Sequence, residues 1–265
     1  MTVNYALSIQ QFVDAWHVFC EAAPGRALDS QPGIEFVFAG VPIAFFNAAI
    51  LSGSDVTTRQ LRACGEQARA WADPRGVPWI LVATQEVLTQ GTDSSAALDD
   101  CGYAPAMSLC GMLAQDVTPI EHLPEGLTLK IADDDASCAA VIDINSQAYA
   151  LPLDPAKDVW GKAAFWSNHV IVLGSVDEQP VSSAAVLNVS GHRYVALVAT
   201  APGQQRRGYA DAAMRRALAV SRRKHGALPT FLHATEAGRP VYERMGYETV
   251  ATHVAFMDKK FLGEH

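Results

Sequence analysis

The sequence has no pair of cysteines at CxxC spacing and no histidine-rich stretch beside its five cysteines, Cys20, Cys64, Cys101, Cys110 and Cys138. That absence excludes the common zinc frameworks, and the odd number argues against a disulfide scaffold. Reduced thiols in a cytoplasmic protein without a metal are the expectation. Long apolar runs are missing too. The longest, near residues 41–51, is interrupted by Pro42 and Asn47 and is too short to cross a bilayer. The start does not combine a basic segment, an apolar stretch and a small-residue cleavage site, so no secretory signal and no membrane partner are expected. Charge is sparse: 18% of residues are charged and 49% are hydrophobic, with no long block of one sign. A disordered chain is therefore excluded. Basic residues are scarcest early on. Up to Glu125 there are 5 basic and 14 acidic residues, and the remainder has 15 and 14. An acidic first half reads as a solvated surface and excludes a nucleic-acid partner.

What is present is patterning for two domains. A chain of 265 residues accommodates two units of about 100–150 each. The segment Glu121-His-Leu-Pro-Glu-Gly126 separates two well-patterned stretches and is the expected linker, giving domains at 1–120 and 126–265. In the second, strands are expected at 126–132, 169–176, 181–189, 193–199, 228–234 and 247–257. Helices are expected at 135–149, 157–166, 208–224 and 239–245, with a break at Pro152 and Pro155. In the first, helices at 8–21, 57–72 and 92–100 alternate with strands at 33–38, 42–50, 78–83 and 103–113. Such an order implies an α/β (α+β) fold with mixed, mostly antiparallel sheets flanked by helices. Placing Gly102 on Gly246 sets Leu98-Asp-Asp-Cys-Gly-Tyr103 beside Tyr242-Glu-Arg-Met-Gly-Tyr247. In both, a short helix stops at a glycine and an aromatic opens the last strand, as an internal duplication would produce.

The most specific segment runs from Arg193 to Ala210, with Thr200 ending a strand, Pro202-Gly203 turning, and Gln205-Arg-Arg-Gly-Tyr-Ala210 opening a helix. Backbone N–H groups at the positive end of a helix dipole form an anion site suited to a pyrophosphate. Gly208 would let the anion approach the backbone, and Arg206 and Arg207 would add charge-assisted contacts. Downstream, Phe231 to Tyr247 repeats a strand-then-helix pattern that ends in Tyr242-Glu-Arg-Met-Gly-Tyr247.

These two segments together resemble the GNAT N-acetyltransferase superfamily. The first fits its Q/R-x-x-G-x-G/A loop and the second its Y-x-x-h-G-[F/Y] ending. The close resemblance spans about residues 126–257, and the first half resembles a degenerate GNAT-like domain. The resemblance implies acetyl-coenzyme A (CoA) as co-substrate. Its pyrophosphate would lie on the backbone of Gln205, Arg206, Arg207, Gly208, Tyr209 and Ala210. Its pantetheine would pair along Val198, Ala199 and Thr200, the Val198 N–H facing the thioester carbonyl. Tyr242 would protonate the departing thiolate. The general base is unassigned: the strand into the loop offers Tyr194 and Ala196, while His192, His233 and Glu236 are alternatives, of which Glu236 stands nearest the Tyr242 helix in sequence. The implied activity is acetyl transfer by direct attack of the primary amine of a small molecule. A non-catalytic acyl-CoA-binding regulator and a protein-modifying acetyltransferase are the other readings. In the first half, Leu51-Ser-Gly-Ser-Asp-Val-Thr-Thr58 replaces the loop and Leu98 replaces Tyr242, so that half is expected not to bind CoA.

Overall fold

The computed structural model describes residues 4–151 and 154–262. The expected break at Pro152 lies outside them. Helices flank sheet in a mixed α/β architecture, and the described residues form two compact units that are not the sequence halves. Unit 1 draws on Met1–Met112, His233–Tyr242 and Glu248–His265; unit 2 draws on Leu113–Leu232 and Glu243–Tyr247. The expected division at 120–126 lies inside unit 2. Compactness divides the chain differently because its last strand pairs with a strand of the first half.

In unit 1, α1 (Tyr5–Glu21) carries Ile9, Phe12, Val13, Trp16 and Phe19 on one buried face, the spacing of a helix packed on a sheet. Beneath it run β1 (Ala27–Gln31), β2 (Ile34–Phe38), β3 (Asn47–Leu51) and β4 (Ile80–Thr84), followed in the sheet by β11 (Glu248–Asp258) and β5 (Tyr103–Ala114). Strand β3 runs parallel to β4, and β11 antiparallel to β4 from His253↔Thr84 to Met257↔Ile80. The helices α2 (Thr58–Ala72) and α3 (Ser94–Asp99) complete the first repeat, and α8 (Arg239–Arg244) joins the unit in part.

Two departures from expectation have plain causes. The strand expected over 42–50 begins only at Asn47. The buried Asn47 carboxamide accepts from the Gly40 N–H (2.9 Å) and donates to the carbonyls of Val41 (2.7 Å), Ile43 (3.1 Å) and Pro78 (2.9 Å). The chain therefore wraps that side chain instead of extending. Strand β1 was not expected, because its interior residues Leu28, Asp29 and Ser30 are exposed and lack an apolar alternation.

Unit 2 has strands β6 (Thr128–Ile131), β7 (Val170–Val176), β8 (Gln179–Val189), β9 (His192–Thr200) and the start of β10 (Thr230–Thr235), in the order β10-β9-β8-β7-β6. Its helices are α4 (Asp135–Tyr149), α5 (Asp154–Trp160), α6 (Ala163–Trp166) and α7 (Tyr209–His225). The single helix expected over 157–166 is two, interrupted at Gly161.

The repeat is visible in the backbone. Gly102 and Gly246 both adopt positive φ, +83° and +93°. The Gly102 N–H donates to Asp99 O at 2.9 Å and the Gly246 N–H to Glu243 O at 3.0 Å, the same bond at the same offset. Each half also contains a parallel strand pair joined by a helix, β3-α2-β4 and β9-α7-β10.

Candidate functional site

The loop between β9 and α7 lies wholly in unit 2. The Ala201 N–H donates to Val181 O (2.8 Å) and the Gln204 N–H to Ala201 O (3.0 Å), closing the turn at Pro202-Gly203. Arg206 and Gly208 then take left-handed φ values of +65° and +79°. Gly208 is the N-cap of α7 and has no side-chain cap, so the N–H groups of the first helical turn stay directed outward along the dipole. Arg206 and Arg207 are exposed and, among the described residues, form no ion pair. The one acid of that turn, Asp211, is paired with Arg215 at 3.0 Å. Tyr209 is turned inward with Leu127, Val181 and Ala212, so only its backbone can meet a ligand.

A Cβ on Gly208 would point at Pro124 Cγ, 3.6 Å away. That is an ordinary contact, so the firm requirement for glycine at this position is the left-handed backbone. Pro124 ends a strap, the expected linker, that lies along α7. Asp116 pairs with Arg222, Thr118 O accepts from Arg215 Nη1 at 2.6 Å, and Ile120 packs on the Tyr209 cluster.

In unit 1 the corresponding helix start is closed. Thr57 caps α2 with a complete capping box: its side chain accepts from the Gln60 N–H, and its own N–H donates to Gln60 Oε1 at 2.9 Å. Two of the donors that an anion would need, the N–H groups of Thr57 and Gln60, are already used.

Strand β9 is irregular where the resemblance places the thioester. The β8–β9 ladder pairs Ser183 with Ala199 and Ala185 with Ala196, leaving Leu197 and Val198 as a bulge. Leu197 sits at φ +50°. Its carbonyl accepts from Ser183 Oγ at 2.8 Å, while the Tyr149 hydroxyl donates to Val198 O at 2.7 Å. Residues 196–198 are partly exposed although the strand on either side is buried. Strand β10 runs parallel to β9 only over Thr230↔Arg193 and Phe231↔Tyr194.

Of the other expected residues, Glu236 is exposed in the turn after β10 and Tyr242 is half-buried on α8, both in unit 1. His192 is half-buried, one ring nitrogen 3.1 Å from Ser190 O. Tyr194 is buried, which pushes its phenol far above the usual range.

His233 belongs to a cluster that the sequence does not announce. Ser8 Oγ lies 3.1 Å from His233 Nε2 and 2.8 Å from His253 Nε2, and His253 Nδ1 lies 2.9 Å from Thr84 Oγ1. These bonds span 225, 245 and 169 residues, beyond any local pattern. Burial holds His253 down to about 4 and His233 well below its ordinary value. The groups around His253 (Ser8, Thr84, His233 and the Phe12 ring) bring no opposite charge to restore it. A depressed folded-state value means that the unfolded chain binds more protons below pH 6.5, so stability falls as pH drops from 6.5 towards 4. His253 alone should cost about 3 kcal/mol across that window. Thermal unfolding at pH 7, 5.5 and 4.5 should show this slope, and His253→Gln should flatten it. Equal slopes in parent and variant would refute the assignment.

Among the described residues no group of three or more His, Cys, Asp or Glu side chains could hold a metal ion. No described helix is long and apolar enough to cross a membrane.

With this geometry in hand, residues 135–250 match the family described as acetyltransferase (GNAT) domain. Comparison with curated proteins gave no match. Among solved structures, a GCN5-related N-acetyltransferase from Kribbella flavida is similar over 100% of this chain and 97% of its own, at 19% identity and TM-score 0.69. Another from Sphaerobacter thermophilus covers 85% of this chain and 76% of its own, at 14% identity and TM-score 0.62. A tandem GNAT protein from the clavulanic acid biosynthesis pathway covers 97% and 96%, at 13% identity and TM-score 0.55. The full-length likeness is one of fold, and the family match rests on the segment that holds the bulged strand, the loop and α7: residues 135–250 match a GNAT acetyltransferase domain.

Proposed function

We propose that this protein is an N-acetyltransferase that moves the acetyl group of acetyl-CoA to the primary amine of a small molecule. The observation that carries the reading is the uncapped start of α7, where left-handed Gly208 follows Arg206 and Arg207 at the end of a bulged strand. The pyrophosphate is assigned to the backbone of Gln205, Arg206, Arg207, Gly208, Tyr209 and Ala210. The pantetheine is assigned to Val198, Ala199 and Thr200.

In the proposed reaction the neutral amine nitrogen attacks the thioester carbon. The carbonyl oxygen gains charge and is met by the Val198 N–H. As the tetrahedral adduct collapses, the C–S bond breaks and the thiolate takes the Tyr242 phenol proton. Glu236, exposed and therefore open to solvent, is assigned the proton lost by the amine. The acceptor would reach the domain from outside, and the protein is placed in the cytoplasm.

The test is incubation with acetyl-CoA and a panel of primary amines (amino acids, polyamines, aminoglycosides and arylalkylamines), with release of free thiol followed. Thiol release that depends on the amine, with acetylated amine by mass spectrometry, is the expected result. Tight binding of acetyl-CoA with no transfer to any amine would favour a non-catalytic acyl-CoA-binding role.

A further inference from the structure

We propose that Asn145, Ser183 and Tyr149 are positioning residues that aim the Val198 N–H at the reacting carbonyl by holding the bulge of β9. The inference rests on the acetyltransferase reading above and names the residues on which its oxyanion contact depends.

The peptide plane fixes the direction of this N–H. All described peptide bonds are trans, so the C=O of Leu197 and the N–H of Val198 point in opposite directions. Ser183 Oγ donates to Leu197 O at 2.8 Å, and Asn145 Nδ2 donates to Ser183 Oγ at 2.9 Å. Asn145 Nδ2 also approaches Leu197 O at 3.4 Å. Ser183 is fully buried and Asn145 is 2% exposed. The Leu197 carbonyl is therefore held toward the interior, between α4 and β8. The Val198 N–H is directed the other way, away from the Ser183 and Asn145 side chains, and residues 196–198 are partly exposed. On the next peptide, the Tyr149 hydroxyl takes the Val198 carbonyl at 2.7 Å. Both carbonyls of the bulge are thus held by side chains, and neither is left to turn the peptide over.

Energetics separates this role from a packing role. Leu197 occupies a left-handed conformation that a branched side chain disfavours, φ +50°, and such strain persists only when its surroundings over-determine it. Asn145 adds a second cost at the same place. Its Nδ2 also donates to Val141 O at 2.8 Å, while its Oδ1 is buried with no hydrogen-bond partner among the described residues. Turning the amide over would set that oxygen against two carbonyl oxygens. A buried acceptor left unmade is unfavourable, and a hydrocarbon of similar shape would avoid it. Two local penalties that meet at one peptide mark a site selected for geometry over stability.

The test compares Asn145→Leu, Ser183→Ala and Tyr149→Phe with the parent in the full chain. Readouts are acetyl transfer to the panel amine turned over fastest, acetyl-CoA affinity, thermal unfolding, and the NMR resonance of the Val198 amide. Misaiming one oxyanion donor should lower kcat roughly tenfold to a hundredfold, with the acetyl-CoA Kd within about twofold. Asn145→Leu should unfold at the parent temperature or above and still lose turnover, with the Val198 resonance shifted. Tyr149→Phe removes an oxygen from a half-exposed ring, so it folds whatever the fate of the buried variants, and it should lose turnover in the same direction. Parent kcat and an unmoved Val198 resonance in the variants would overturn the proposal. So would lowered melting temperatures with kcat intact, which a packing role predicts. A parent that acetylates no amine would count against the acetyltransferase reading instead, and the Val198 resonance in the ligand-free variants would still decide whether these residues aim the N–H.

Discussion

Gly208→Val is expected to weaken CoA binding about a hundredfold or more. At φ +79° the residue is in a region that a β-branched side chain avoids. Valine would also drive its γ-methyls toward Pro124, whose Cγ lies 3.6 Å from the first side-chain atom. The backbone must then leave the left-handed well, and the N–H groups of the following turn swing with it. A hydrogen bond to a charged group contributes roughly 1.5–3 kcal/mol, so losing two of them costs about 3–6 kcal/mol, or a factor of about 10² to 10⁴. Gly208→Ala adds no γ-methyls and keeps only the strain, so it should fall between. Calorimetric titration of acetyl-CoA into both variants checks this, with thermal unfolding to show that they remain folded. Unchanged affinity in Gly208→Val would remove this loop from the phosphate site.

Tyr242→Phe is expected to slow acetyl transfer tenfold to a thousandfold while leaving the fold and CoA affinity nearly as they were. The substitution deletes one oxygen and keeps the ring, whose edge lies 3.4 Å from where a Gly238 Cβ would stand. Leu98→Ala, at the matching position of the first half, should act differently. Leu98 is fully buried, its Cδ2 3.1 Å from where a Gly65 Cβ would stand. Truncation there should cost about 2–5 kcal/mol of stability through the cavity it leaves. Single-turnover transfer and thermal unfolding, measured on both variants, separate the two behaviours. A Tyr242→Phe protein that transfers acetyl at the parent rate, with chemistry rate-limiting, would take Tyr242 out of the mechanism.

The sequence carried the local part of this structure. Helix α4 runs from Asp135 to Tyr149 as expected, and of the two adjacent acids able to cap it, Asp133 and Asp134, the cap is Asp134. The loop from Gln205 to Ala210 was legible because glycine, arginine and a helix start are neighbours in the chain. The glycines at 102 and 246 exposed the repeat, since each demands a left-handed turn at the same offset.

Long-range pairing was not legible. Nothing near His253 tells that its strand lies beside β4, or that Ser8 joins its ring to that of His233. The domain limits missed the discontinuity for the same reason: Glu248–Asp258 is patterned like any half-buried strand, and its partner is set by sheet order alone. Asn145 did give a signal, a carboxamide on the face shared by Val141, Ile142 and Ile144, but its partners Ser183 and Leu197 lie 38 and 52 residues away.

On the proposed reading, one of the two repeats, the second, handles acetyl-CoA. That assignment rests on a contrast between two helix starts: α7, open at Gly208, and α2, closed by Thr57 and Gln60. Calorimetric titration of acetyl-CoA into the full chain tests it most directly. The account predicts one site per chain, lost in Gly208→Val and untouched by Thr57→Ala. Two equivalent sites, or a single site that survives Gly208→Val and disappears on altering Thr57, would contradict it.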